Sequence, residues 1–127
     1  MRRLLPLLLA AFAAVATPAP SAAIAADVRF LVQRSPLAGF RHHEAASLWN
    51  DMKVGDVLAL VREPANPHDA NAVRVEWRGR MLGYVPRSQN QALAWAMDRG
   101  EPVTARIAAM RIAGNSRRVL EFEVFVD

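Results

Sequence analysis

The sequence predicts a mainly β domain with one or two helices, α+β in class, built as a small OB-like or SH3-like antiparallel barrel of about six strands. Three observations point there. Short runs of alternating apolar and polar residues recur along the chain, separated by Gly, Pro, Asn and Ser. One segment after residue 88 instead spaces its apolar residues as a helix does. Once an N-terminal leader is set aside, about 102 residues remain, enough for one core and too few for a kinase or a (β/α)₈ barrel.

That leader starts with the basic Met1-Arg2-Arg3, runs apolar from Leu4 to Ala16, and breaks at Thr17-Pro18-Ala19-Pro20-Ser21. Ala23-Ile24-Ala25 has the small-x-small form that signal peptidases accept. Residues 1–25 therefore read as a cleaved signal peptide of an exported protein, periplasmic or secreted. The apolar run is shorter than the ~18 residues that span a bilayer. An uncleaved membrane anchor is the lesser alternative, and no stable span is expected after cleavage. Residues 26–127 carry 14 basic and 12 acidic side chains, a charge of +2, so bulk charge does not select nucleic acid as a partner. Thirteen of those cations are arginine, which suits phosphates and stacking; a GC-rich coding sequence gives the same bias. The absence of cysteine excludes disulfides, thiol catalysis and cysteinyl zinc sites.

Asp27 to Gln33 alternates and reads as the first strand, followed by a loop at Ser35 to Gly39. Glu44 to Met52 offers one or two helical turns with Ala45, Leu48 and Trp49 inward. Lys53 to Asp56 turns into the apolar strand Val57 to Val61, and Glu63 to Asp69 is a polar, proline-flanked loop. Asn71 to Trp77 alternates with Val73, Val75 and Trp77 on one face, then Arg78-Gly79 makes a tight hairpin into Met81 to Val85. The helix is placed at Gln89 to Arg99. Ser88 and Gln91 have the capping-box spacing, Ala92, Trp95 and Ala96 form the apolar stripe, and Gly100 and Pro102 end it. Val103 to Ile112 and Val119 to Val126 are long strands joined by a loop at Ala113 to Ser116.

One string carries more than secondary structure. Arg62-Glu63-Pro64-Ala65-Asn66-Pro67-His68-Asp69-Ala70-Asn71-Ala72-Val73 is followed by Leu82-Gly83-Tyr84-Val85-Pro86-Arg87 and then by the helix Asn90 to Gly100. In these motifs the chain resembles the HIRAN domain family, over roughly residues 28 to 126, so that residues 26–127 form one HIRAN-like domain. The resemblance implies a modified OB-type barrel and a non-catalytic nucleic-acid-binding module. In the family's best-understood member, part of a replication-fork remodeller, the domain captures the 3′ end of single-stranded DNA. An aspartate meets the terminal hydroxyl there, aromatic rings stack on bases, and basic residues hold phosphates.

Carried onto this chain, the resemblance makes Asp69 the hydroxyl acceptor and has Asn66 shape the loop or bond the sugar-phosphate. Arg41 and His42 follow Gly39 where the family often has Arg or Gln and a tyrosine, and His68 stands where the well-studied member has tyrosine. Two stacking positions are therefore imidazoles, which stack less strongly than tyrosine and titrate near neutrality. With Arg62, Tyr84 and Arg87, these residues make up the expected nucleic-acid site, and single-stranded DNA or a DNA end is the expected partner. An extracytoplasmic ligand- or protein-interaction domain on the same scaffold, with an envelope protein as partner, is the alternative.

The residues also support plainer readings. Asp69 fits an ordinary Asx turn, accepting backbone N–H groups. Arg41, Arg62, Arg74 and Arg87 either line one groove or disperse, with Arg74 paired to Glu63 or Glu76 and Arg62 to Glu63. Trp49, Trp77 and Trp95 read as core, and Tyr84 fits the core or the groove. A zinc site from His42, His68 and Asp69 is a second alternative, weakened because adjacent His42 and His43 would point to opposite faces. No cofactor is expected. No P-loop, GxGxxG, HExxH or nucleophile elbow is present, and catalysis is not expected.

Overall fold

A computed structural model describes residues 28–127 together with a few isolated positions before them (3, 11 and 13–17). Most of the expected signal peptide, 18 of its 25 residues, lies outside the described residues. Among the described residues, no helix is long and apolar enough to cross a membrane.

Six strands form one antiparallel sheet in the order β1-β6-β5-β2-β3-β4. They are β1 (Phe30–Pro36), β2 (Val57–Arg62), β3 (Val73–Trp77), β4 (Arg80–Tyr84), β5 (Val103–Ile112) and β6 (Arg118–Val126). Strand β2 belongs to both halves: Val57 and Leu58 pair with β5, and Ala59 to Arg62 pair with β3. The two edges meet where Ala38 and Tyr84 exchange backbone hydrogen bonds of 2.9 Å. Gly83 makes that approach possible, since a Cβ there would lie 2.2 Å from the Ala38 carbonyl oxygen. The mainly β class and the six strands match the expectation.

The alternation read from the sequence sets the core. Val73, Val75 and Trp77 of β3 and Leu120, Phe122 and Val124 of β6 are buried, facing Leu58, Leu82 and Ile107. Helix α1 (Ala45–Leu48) adds Ala45 and Leu48, with Trp49 half-buried and edge-on to Phe40 at 5.7 Å. Helix α2 (Gln91–Asp98) adds Leu93 and Ala94.

Three expectations fail locally. Strand β1 extends through Ser35 and Pro36, which read as loop. Ser35 is 1% exposed, and its hydroxyl donates to Gln89 Oε1 at 2.6 Å, a partner 54 residues away. The Ser88–Gln91 capping box does not form: a 3₁₀ turn (Arg87–Gln89) precedes α2, and the N-cap residue is Asn90, whose side chain does not cap the helix. The buried face of α2 is also rotated. Leu93, Ala94 and Ala96 are buried, while Ala92 is exposed and Trp95 is 53% exposed, so Trp95 is not core. Small alanines let the helix sit close to the sheet, and the larger amphipathic indole stays in water.

Candidate nucleic-acid interface

The loop between β2 and β3 is held by two polar anchors. The first is Glu63. Its carboxylate accepts hydrogen bonds from Asn66 Nδ2 at 3.1 Å, the Tyr84 hydroxyl at 2.9 Å and Arg74 Nη1 at 3.1 Å. Arg74 also pairs with Glu76, so it serves the loop and not a ligand. Asn66 is used at both ends, its Oδ1 accepting the His68 N–H at 2.9 Å. Burial pushes the Tyr84 phenol up, and the bond to the Glu63 carboxylate pushes it further, so it stays a neutral donor.

The second anchor is Asn90, 2% exposed at the N-cap of α2. Its Nδ2 donates to Asp69 Oδ2 at 2.7 Å, while Asp69 Oδ1 accepts the Asn71 N–H at 2.9 Å, an Asx turn. Burial opposes ionisation of Asp69. Those two bonds and the nearby Arg87 and Arg62 guanidiniums outweigh it, holding the carboxyl below its usual range. Arg62 itself is spoken for: it makes a two-point bond to Asp98 of α2 at 3.0 and 3.1 Å and donates to the Ala72 carbonyl at 2.9 Å. It ties strand, helix and loop together, and its partner is Asp98 rather than Glu63. The His68 imidazole and the Arg87 guanidinium are exposed at the rim of the loop.

Arg41 and His42 lie elsewhere, in the 3₁₀ turn Phe40–His42 after Gly39. They line a cavity of about 820 Å³ together with Asn115 to Arg117 of the turn between β5 and β6 and Arg118 to Leu120 at the start of β6. The cavity also contains Arg117 and Arg118, and no Asp or Glu lines it. Its lining also includes Leu37, Ala38 and Gly39, and Ala38 is the residue that pairs with Tyr84. The cavity and the anchored loop therefore meet at the closure of the barrel. His42 lies in the 3₁₀ turn and not on the extended segment expected, and His43 stands edge-on to the Tyr84 ring at 5.7 Å.

The expected residues thus fall into two groups. Asn66, Asp69 and Tyr84 sit in one bonded cluster with His68 and Arg87 at its edge, and Arg41 and His42 line the adjoining cavity. Among the described residues no three His, Asp or Glu side chains come together to hold a metal ion, so His42, His68 and Asp69 do not form the alternative zinc site. Sequence reading missed Asn90, the hub role of Glu63, and Arg117-Arg118. The last pair left a signal, two cations directly after the hairpin loop, but the loop was read only as a connection.

Fold and site together describe a small antiparallel barrel that offers a fixed loop and a basic cavity, the plan of a binding module. The HIRAN domain family model matches residues 30–126, and the chain belongs to that family. It is 36% identical over 73 residues to the helicase-like transcription factor of Oryctolagus cuniculus and 35% identical over 72 residues to that of Mus musculus. These matches cover 57% and 56% of this chain but 7% of each relative's length. Among solved structures, a Lactobacillus plantarum protein aligns with a TM-score of 0.69 at 25% identity, over 78% of this chain and 95% of its own. The HIRAN domain of human HLTF aligns with a TM-score of 0.60 at 22% identity, over 74% of this chain and 73% of its own.

Proposed function

We propose that the domain is a non-catalytic module that binds single-stranded DNA at its 3′ end, with Asp69 accepting the terminal hydroxyl. The observation that carries this reading is the anchoring of the Asn66–Asp69 loop by Glu63 and Asn90, with an ionised carboxylate at its end and an exposed ring and cation at its rim. A carboxylate offers about four acceptor positions. Asp69 uses one on each oxygen within the protein, which leaves room for a ligand hydroxyl. The fixed loop adds little ordering cost on binding. His68 and His42 supply rings for terminal bases, and Arg87 and Arg41 supply charge for phosphates. Family membership and the relation to helicase-like transcription factors support the same ligand class.

Fluorescence anisotropy of the full chain with short single strands tests the reading. A 3′-hydroxyl strand is expected to bind about ten- to a hundredfold more tightly than its 3′-phosphate counterpart, the range for a hydrogen bond to a charged acceptor. Asp69→Asn, which keeps an acceptor for the Asn71 N–H, is expected to erase most of that preference. Equal affinity for the two ends contradicts end recognition. No binding of either strand leaves the extracytoplasmic interaction domain as the better reading.

A further inference from the structure

We propose that the turn between β5 and β6, with the first residue of β6, is the phosphate-holding arm of this site, Arg117 and Arg118 gripping the strand in the cavity they share with Arg41. The proposal rests on the single-strand reading above and adds to it a charged element outside the loop strings that carry the family resemblance. Its basis is how the barrel distributes its arginines. Along the same sheet, Arg34, Arg106 and Arg111 are each paired with Glu121 or Glu123 at 3.0 to 3.5 Å. Elsewhere Arg62, Arg74 and Arg80 pair with Asp98, Glu63 and Glu76, and Glu44. Arg41, Arg117 and Arg118 have no carboxylate partner within 4 Å among the described residues, and all three line one cavity whose lining holds no Asp or Glu. Three like charges gathered without counter-charge repel one another, and a polyanion relieves that repulsion.

The arm is held in shape. The Ala113 N–H donates to the Arg117 carbonyl at 2.7 Å, closing the turn. Inside it Asn115 and Ser116 sit at φ 66° and 59°, a left-handed geometry costly for residues with a Cβ. Arg118 is steadied by α1: its Nη1 donates to the Ala46 carbonyl at 3.3 Å, and its guanidinium lies 5.8 Å from the Trp49 ring centre. At about 820 Å³ the cavity accommodates a nucleotide-sized group, and Ala38 in its lining pairs with Tyr84, which bonds to the anchored loop.

Salt titration of binding to a short oligothymidylate with a free 3′-hydroxyl reads the number of phosphates held. Each phosphate contact on a single strand contributes about 0.7 to the slope of log affinity against log salt. Arg117→Gln is expected to lower the slope by about 0.7 and Arg117→Gln/Arg118→Gln by about 1.4, with the preference for a 3′-hydroxyl over a 3′-phosphate retained. Arg117→Gln stands alone as the cleaner variant because Arg118 also touches α1. Arg111→Gln, which removes a cation paired with Glu121, is expected to leave the slope unchanged. Unchanged slopes with the end preference intact overturn the arm and spare the end reading. An equal drop with Arg111→Gln overturns it too, as general charge attraction. Absence of wild-type binding overturns both readings.

Discussion

Trp77 is 5% exposed, its indole N–H donates to Asp56 Oδ2 at 3.1 Å, and Arg78 lies over its ring at 4.5 Å. Trp95 stands on the outer face of α2. Environment and not residue type therefore sets what each is worth. Trp77→Ala is expected to cost about 3–5 kcal/mol, as for other buried aromatic truncations. Trp95→Ala is expected to change stability by no more than about 0.5 kcal/mol. Urea midpoints of the two variants check the contrast, and comparable losses contradict the packing described. The same dependence on surroundings governs Asp69. Its carboxylate is at once a structural acceptor and the proposed ligand acceptor, so Asp69→Asn separates the roles better than Asp69→Ala.

Barrel closure is the element that joins the two halves of the site. Gly83→Ala places a Cβ against the Ala38 carbonyl, and the neighbour that would have to move is backbone. That substitution is expected to destabilise the fold by about 3 kcal/mol, the upper end of the usual overpacking cost, and to raise amide exchange at Ala38 and Tyr84. A near-wild-type melting temperature contradicts this account of closure. At this scale the strands were legible in the sequence because alternation over five or more residues records which face is buried. The ends of β1 and α2 were not. Ser35 reads as a loop residue until Gln89 is known to satisfy its hydroxyl, and Asn90 reads as helix interior until Asp69 is known to accept its amide. Both depend on partners more than 20 residues away, which no local pattern contains. The loop itself was legible from its prolines and acids, whereas the cavity was not, because it exists only where the first turn and the last hairpin are folded against each other.

Across the whole molecule most of the described acidic groups are paired or bonded, and four carboxyls are held below their usual range. Glu121 is lowered by the Arg111 and Arg34 bonds, Asp98 by Arg62, and Glu44 by Arg80. Asp69 is lowered by its bonded partners against the effect of burial. A carboxyl depressed in the folded state contributes stability above its unfolded value, and that contribution is lost as pH falls through the folded value. Stability is therefore expected to hold through neutral pH and to decline below about pH 4. The exposed pairs contribute little each. Urea midpoints measured against pH check this, and a flat profile through the acid range contradicts it.

The same pairing neutralises the outer face of β1, β6 and β5, while Arg41, Arg117 and Arg118 at the cavity have no carboxylate partner among the described residues, so the proposed ligand would draw mainly on arginines that make no ion pair in the fold. Amide chemical-shift mapping of the chain titrated with a short 3′-hydroxyl single strand tests that division most directly. Shifts are expected at residues 38–43, 66–69, 84–87 and 115–118, with Arg34, Arg106 and Arg111 unmoved. Shifts centred on those three arginines, or spread evenly over the surface, would contradict it.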